Sequence, residues 1–366
     1  MKLLTTILIV LYFFPPIVTR HDKDENLFLK NPSDYPAAIQ LRLRDLTGLV
    51  EMEGTLIAPN WIVTAAHGLN SVDANQTISI LDSLYQISQI ITHPSFEGFE
   101  HDIALIKLDR KIIGIEPIPL YRDTNELGKL ITIMGRGGSG TGETGPLQYD
   151  SKFRIATNKI DSVSSYWIKF RFDEPSNPNS TDLEGISGSG DSGGPAFIEI
   201  NGKQFLSGIS SNQLNEQIGV EEGKYGVIEY YTRVSSYTQW IEEVIEGKIQ
   251  VQYTFEKTES NWGFPDTQIG KKANLFMDAI TSNKVTDKFM EQVFYKSFRE
   301  SFDLKGFVQG ISNSLENPQI GEIRKAKNNV LIFTVLSNSR TYLIQLEADK
   351  RDDYLIGGLV YKKLSD

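Results

Sequence analysis

The chain contains no cysteine and only four histidines, His21, His67, His93 and His101, in 366 residues. Without a thiol there is no disulfide framework, no thiolate nucleophile and no cysteine-held zinc or iron–sulfur centre. A multi-histidine metal site would consume most of the supply, and no pair is spaced as His-Glu-x-x-His. Basic residues are in deficit as well. The 37 lysines and arginines face 47 aspartates and glutamates, and the formal charge of −10 has the wrong sign for a surface that tracks a nucleic-acid backbone. From Val251 onward 16 basic residues nearly balance 15 acidic ones, so the acidity belongs to the part before it. Long apolar runs are also missing: after residue 18 nothing approaches the roughly 18 consecutive apolar residues of a membrane-spanning helix.

What is present begins with an apolar leader. Met1-Lys2, the mostly apolar stretch Leu3 to Val18 and the polar Thr19-Arg20-His21-Asp22 follow the order of an export signal, and Pro15-Pro16 disfavours a continuous spanning helix. The expectation is a signal peptide over 1–19 and an N-terminal segment over 20–36. The body would be secreted or kept in the periplasm or cell envelope, with no stable membrane insertion. It is long enough to bury a core without disulfides and to form two domains.

Up to about residue 240 short runs rich in β-branched residues alternate with turns, among them Ile39 to Leu43, Ile103 to Leu108, Leu130 to Met134, Ala196 to Ile200 and Tyr225 to Val234. That spacing predicts an all-β barrel or sandwich. Gly135 to Gly145, six glycines in eleven residues, reads as a flexible surface loop, since it lacks the Gly-Lys-Ser/Thr ending of a nucleotide loop. Trp240, Ile241, Val244 and Ile245 then recur at helical spacing, and Gly247 is placed to end that helix. Beyond a linker at 249–269, helices are predicted at Lys272 to Ile280, Val285 to Phe302 and Leu304 to Leu315. Four strands follow, making a small α+β domain over 270–366.

Four segments carry the chemistry: Trp61-Ile-Val-Thr-Ala-Ala-His67-Gly68, His101-Asp102-Ile-Ala-Leu-Ile-Lys-Leu108, Gly190-Asp191-Ser192-Gly193-Gly194-Pro195 and Tyr231-Thr232-Arg233-Val234. Amide hydrolysis needs an activated nucleophile, a proton acceptor within reach of it, and stabilisation of the tetrahedral oxyanion. Ser192, His67 and Asp102 supply a nucleophile, a base and a carboxylate to fix the base's tautomer. In order and spacing, with intervals of 35 and 90 residues, these segments resemble the chymotrypsin/trypsin family of serine endopeptidases from about Ala37 to Ile245.

The resemblance implies two six-stranded antiparallel barrels with a C-terminal helix over 37–248, the small α+β domain following. It implies hydrolysis of protein or peptide substrates through an acyl-enzyme on Ser192, with no metal and no cofactor. Oxyanion donors would be the N–H groups of Gly190 and Ser192. Gly193 and Gly194 would let the chain turn around the nucleophile, and Asp191 would order the loop. Ile186, Ser211, Gln213 and Glu229 align with the substrate-binding walls. Ile186 stands where trypsin-like preference for Lys or Arg calls for an aspartate, while Glu229 offers a carboxylate from another wall, so the sequence allows a basic or a large apolar preference. No Ile-Val-Gly-Gly activation sequence occurs, and the aligned region is Asp34 to Leu41. A catalytically inactive, protease-like binding protein is the alternative. The C-terminal domain, which faintly resembles the nuclear-transport-factor-2-like class, is expected to bind a protein or envelope partner.

Overall fold

The computed structural model describes residues 17–44, 49–69, 72, 76–214, 221–249, 262–326, 329–349 and 355–365. The expected leader through residue 16 and most of the expected linker lie outside them. The chain divides into two compact units, Met1–Gln250 and Val251–Asp366.

Val18–Thr19 forms the short strand β1. Strands β2 (Ala38–Arg44), β3 (Leu49–Ala58), β4 (Trp61–Thr64), β5 (Thr77–Ile80), β6 (Ser83–Thr92) and β7 (Ala104–Leu108) make one antiparallel sheet, ordered β2-β3-β4-β7-β6-β5. Side-chain alternation orients them: Leu41 and Leu43 of β2 face inward while Arg42 and Arg44 face solvent, and all four residues of the central β4 are buried. The two edges meet. Arg44 N–H donates to Gln76 Oε1 and Gln76 Nε2 donates to the Arg44 carbonyl, both at 2.6 Å, which ties β2 to the start of β5 and curls the sheet closed.

The second half supplies β8 (Leu130–Gly135), β9 (Gly138–Thr141), β10 (Gly145–Tyr149), β11 (Arg154–Lys159), β12 (Ser162–Val163), β13 (Trp167–Arg171), β14 (Gly185–Ile186), β15 (Pro195–Ile200), β16 (Lys203–Leu214) and β17 (Ile228–Arg233). Seven of them form the sheet β11-β8-β15-β16-β17-β13-β12, one more than the expected six, the addition being the two-residue β12. Buried Asn158 of β11 donates through Nδ2 to the Arg171 carbonyl of β13 at 3.0 Å, drawing this sheet into a barrel as well. A third sheet, β10-β9-β1-β14, carries β1 between β9 and β14. The glycine-rich stretch is therefore a strand pair rather than a flexible loop, because its glycines permit close approach: a Cβ on Gly140 would lie 2.0 Å from the Gly145 carbonyl oxygen. Helix α1 (Thr238–Ile245) closes the unit by burying Trp240, Ile241 and Val244.

The second unit has α2 (Gln268–Thr281), α3 (Asp287–Val293), α4 (Lys296–Ser301) and α5 (Leu304–Ser314), then the antiparallel meander β18 (Gln319–Ala326), β19 (Val330–Ser337), β20 (Arg340–Asp349) and β21 (Leu355–Ser365). Thr267 and Thr286 cap α2 and α3 through their side-chain oxygens. Phe276, Met277, Phe289, Met290 and Phe294 pack with Phe333 in one core. The single helix expected over Val285 to Phe302 is two. Buried Phe294 turns extended and bridges to Ile356, and Tyr295 N–H donates to the Ile356 carbonyl at 2.9 Å, so docking on β21 outweighs helical continuity.

Candidate active site

The two barrels of the first unit each contribute to one cleft. His67 follows β4 through the fully buried Ala65 and Ala66, and Asp102 lies two residues before β7, the strand beside β4. Asp102 is fully buried, and its oxygens are assigned by four donors. Oδ1 accepts the His67 backbone N–H at 2.8 Å, and Oδ2 accepts His67 Nδ1 and Ser211 Oγ, each at 2.7 Å. Its carbonyl accepts Thr232 Oγ1 at 2.8 Å. With Nδ1–H committed to the carboxylate, His67 Nε2 is free to accept from Ser192 Oγ, 2.9 Å away. Burial alone would push the His67 imidazole down, but the Asp102 charge and hydrogen bond prevail and hold it above its ordinary value. Phe99 stands edge-on to the His67 ring at 5.6 Å.

Ser192 sits in the loop between β14 and β15, turned by two glycines with positive φ, Gly190 at 99° and Gly193 at 83°. A Cβ on Gly193 would lie 2.1 Å from Thr64 Oγ1 and 2.2 Å from the Glu53 carbonyl oxygen, so both conformation and space demand glycine. The Gly194 carbonyl and Ser210 N–H, and the Ser210 carbonyl and Gly193 N–H, lock the far side of the loop to β16. The N–H of Asp191 is taken by the Gly188 carbonyl and that of Gly194 by the Asp191 carbonyl. Buried Asp191 accepts Gly137 N–H on Oδ1 and Gly188 N–H on Oδ2, both at 3.1 Å, and presses on Gly135, where a Cβ would lie 1.8 Å from Oδ1. Burial pushes this carboxyl up to about 7, against the N–H groups and the more distant Arg154 and Arg136 charges.

Beside Ser192 opens a cavity of about 630 Å³, whose walls include Ser187, Ser210, Gln213, Glu222 and Glu229. Glu229, on β17, is buried and accepts from Ser187 Oγ and, at 2.9 Å, from Gln213 Nε2. Burial raises its carboxyl well above the ordinary range, the two hydrogen bonds oppose that, and Asp191 and Glu222 add to it. The exposed Glu222 is itself raised by partial desolvation. Of the residues aligned with the substrate walls, Ser211, Gln213 and Glu229 line this cavity, and Ser211 also directs its hydroxyl to Asp102. Ile186 is not brought there. It is wholly buried in the apolar core with Val18, its β1 partner, and the neighbouring Ser187 faces the cavity instead. Adjacent residues of an extended segment face opposite ways, and alignment by residue count alone does not reveal which one faces the cleft.

The segment that aligns with the family's activation sequence belongs to the first barrel. Asp34 to Leu41 leads into β2 of the first barrel, whereas the buried Ile17 and Val18 enter the sheet of β9 and β14, the strands next to Gly137 and Gly188. Ser211, expected at a substrate wall, bonds Asp102 as well, and Thr232 and Phe99 join the site without a role expected from the sequence. Ser211 and Thr232 reach Asp102 across 109 and 130 residues, distances over which no local motif carries a signal.

A serine, a histidine and a buried aspartate in one hydrogen-bonded line, where two antiparallel barrels meet, define a serine-hydrolase type of site. The family model described as Trypsin matches residues 31–241, more than half of the chain, and the chain belongs to that family. Chymotrypsin-like elastase family member 1 of Canis lupus familiaris is 28% identical over 217 residues, 52% of this chain and 80% of the relative. Tryptase of Mus musculus is 28% identical over 236 residues, 58% of this chain and 84% of the relative. Coagulation factor IX of Cavia porcellus is 29% identical over 216 residues, 51% and 70% of the two chains. A solved structure, neuropsin, a serine protease expressed in the limbic system of mouse brain, is 24% identical with a TM-score of 0.45, covering 60% of this chain and 98% of its own. Among the described residues no helix is long and apolar enough to cross a membrane, and no cluster of three metal-ligating side chains occurs.

Proposed function

We propose that this protein is an exported serine endopeptidase that cleaves peptide bonds through an acyl-enzyme on Ser192. The observation that carries the reading is the continuous line Ser192 Oγ to His67 Nε2 to Nδ1 to Asp102 Oδ2, at 2.9 and 2.7 Å. In this mechanism Ser192 Oγ attacks the scissile carbonyl carbon as its proton passes to His67 Nε2, and Asp102 stabilises the imidazolium. The oxyanion falls to the N–H groups of Gly190 and Ser192, while those of Asp191, Gly193 and Gly194 are committed to the carbonyls of Gly188, Ser210 and Asp191. The imidazolium then protonates the leaving amine. Water, deprotonated by the same imidazole, attacks the ester carbonyl and frees Ser192.

The buried Glu229 and the exposed Glu222 in the cavity support preference for Lys or Arg on the acyl side of the cleaved bond. Maturation immediately before Ile17 belongs to the same reading. Cleavage after residue 19 would discard β1, whereas cleavage before Ile17 keeps it and creates an ammonium group at the sheet flanked by Gly137 and Gly188, the two residues that hold Asp191. The second unit has no histidine, and a binding role toward a protein or envelope partner is proposed for it rather than a second activity. The test is labelling of the mature protein with a fluorophosphonate and mapping of the modified peptide. Adduct on Ser192 is expected. A folded protein that takes up no label would instead be the catalytically inactive binding protein.

A further inference from the structure

Glu53 of β3 and Arg136, between β8 and β9, form an ion pair at 2.7 Å with side chains only 2% and 11% exposed. The two residues belong to different barrels. Arg136 is held further by the Ala38 carbonyl at 3.3 Å and lies over the Phe153 ring at 4.6 Å. A buried pair of this kind is weak evidence for stability, because desolvation cancels most of the attraction. Its backbone connections are more telling. Glu53 N–H donates to the Ser192 carbonyl at 2.9 Å, and the Glu53 carbonyl accepts Thr64 Oγ1, on the strand that leads to His67, at 2.6 Å. On the other side, Arg136 is flanked by Gly135, which packs on the Asp191 carboxyl, and Gly137, which donates to it. The pair therefore joins the backbone that holds Ser192 to the backbone that holds Asp191, its neighbour in the nucleophile loop.

We propose that Glu53 and Arg136 are positioning residues that clamp the nucleophile loop from both barrels, so that breaking the pair lowers turnover more than substrate binding. This rests on the endopeptidase reading above, but the clamp itself is open to a measurement that does not. With the salt bridge intact, β3 and the 135–137 segment hold Ser192 and Asp191 in register. With it broken, the Glu53 to Ser192 and Gly137 to Asp191 hydrogen bonds loosen together, and the loop N–H groups lose their aim.

The experiment compares full-length mature protein with Glu53→Gln, Arg136→Met, Arg136→Lys and the double Glu53→Gln/Arg136→Met variant. The double variant leaves no lone buried charge and keeps the test open if a single variant fails to fold. Hydrogen exchange is read on peptides covering 187–194 and 135–139. Turnover of a short peptide is read per active centre titrated with fluorophosphonate. The clamp predicts faster exchange in both peptides and kcat about 100-fold lower with KM within about threefold, a loss typical of a reacting group misplaced by an ångström. Arg136→Lys, which can still pair with Glu53, should recover at least tenfold of that loss, by about the margin of a retained charged hydrogen bond. Unchanged exchange in the two peptides, or exchange raised equally across β4 and β7, would overturn the proposal. So would an unchanged kcat per titrated centre in the double variant. If wild-type protein takes up no fluorophosphonate while exchange responds as described, the endopeptidase reading fails and the clamp stands.

Discussion

Replacing Asp102 by asparagine leaves the shape of the site almost unchanged and reverses its proton logic. The direction of the new amide is dictated by the structure. Oδ1 accepts the His67 backbone N–H at 2.8 Å, so that position must remain an oxygen, and the amide nitrogen takes the place of Oδ2. There it faces His67 Nδ1 and Ser211 Oγ, both of which donate to the carboxylate at 2.7 Å. The Ser211 hydroxyl can rotate and accept. The imidazole can relieve the clash only by moving its proton to Nε2, which then points at Ser192 Oγ and cannot act as a base. The expected loss is about 10⁴ in kcat, or ~5.5 kcal/mol of barrier, with KM nearly unchanged. The pH dependence should shift as well. In the native site activity rises with pH as the imidazolium loses its proton, and the Asp102 charge holds that transition above the ordinary histidine value against the downward effect of burial. In Asp102→Asn the transition moves down. Steady-state kinetics on one peptide from pH 5 to 9, normalised to folded protein by circular dichroism, measures both effects. Activity within about tenfold of wild type at pH 7 would refute the assignment of Asp102 as the group that sets the tautomer.

Glu229→Gln should lower kcat/KM for Lys and Arg peptides relative to matched Phe and Leu peptides by about 30-fold, roughly 2 kcal/mol of charge pairing. Equal losses on both series would remove Glu229 from substrate selection. Gly193→Ala, strained at φ 83° and driven into Thr64 and the Glu53 carbonyl, should lose nearly all activity, and full activity in that variant would contradict the loop geometry. Folded-state carboxyls raised by burial without a cation beside them, those of Asp191 and of Glu184 just before β14, both to about 7, hold protons that the unfolded chain releases near pH 4. Their contribution to stability is therefore full below about pH 4 and is lost as pH rises through about 7. The melting temperature of protein retaining its leader should fall from pH 6 to 8.5, less steeply in Asp191→Asn, and a flat or rising profile in both would contradict these shifts.

The line from Ser192 through His67 to Asp102 was legible because each member lies in a short segment whose neighbours are constrained as tightly as the residue itself. Ala65 and Ala66 are fully buried ahead of His67, Ile103 and Ala104 are fully buried behind Asp102, and Gly190 and Gly193 take φ values suited to glycine around Ser192. The barrels were legible from alternation such as Leu41, Arg42, Leu43, Arg44. Alternation has a matching weakness: a one-residue error exchanges the two faces, and that separates Ile186, in the core, from Ser187, in the cavity. Composition misled at Gly135 to Gly145, where close strand packing requires the same residues as a flexible loop. Helical periodicity carried through Phe294, although a contact with Ile356, some sixty residues further on, breaks the helix there.

Burial without local pairing explains why the charge balance around the nucleophile was the least legible feature. Glu53, Asp191 and Glu229 come from β3, the loop before β15 and β17, and nothing in their separate sequence contexts marks them as neighbours. Glu53 is ion-paired with Arg136, while Asp191 accepts backbone N–H groups and Glu229 accepts from Ser187 and Gln213. Burial raises all three, and the remaining negative charges raise Glu53 and Glu229 further. On the proposed reading the imbalance is met from two sources. An ammonium created at Ile17 answers Asp191 once the leader is removed, and the basic side chain of a substrate answers Glu229 during each turnover. Arg136 answers Glu53 permanently, which is why that pair can hold the loop while the other two carboxyls respond to maturation and to substrate.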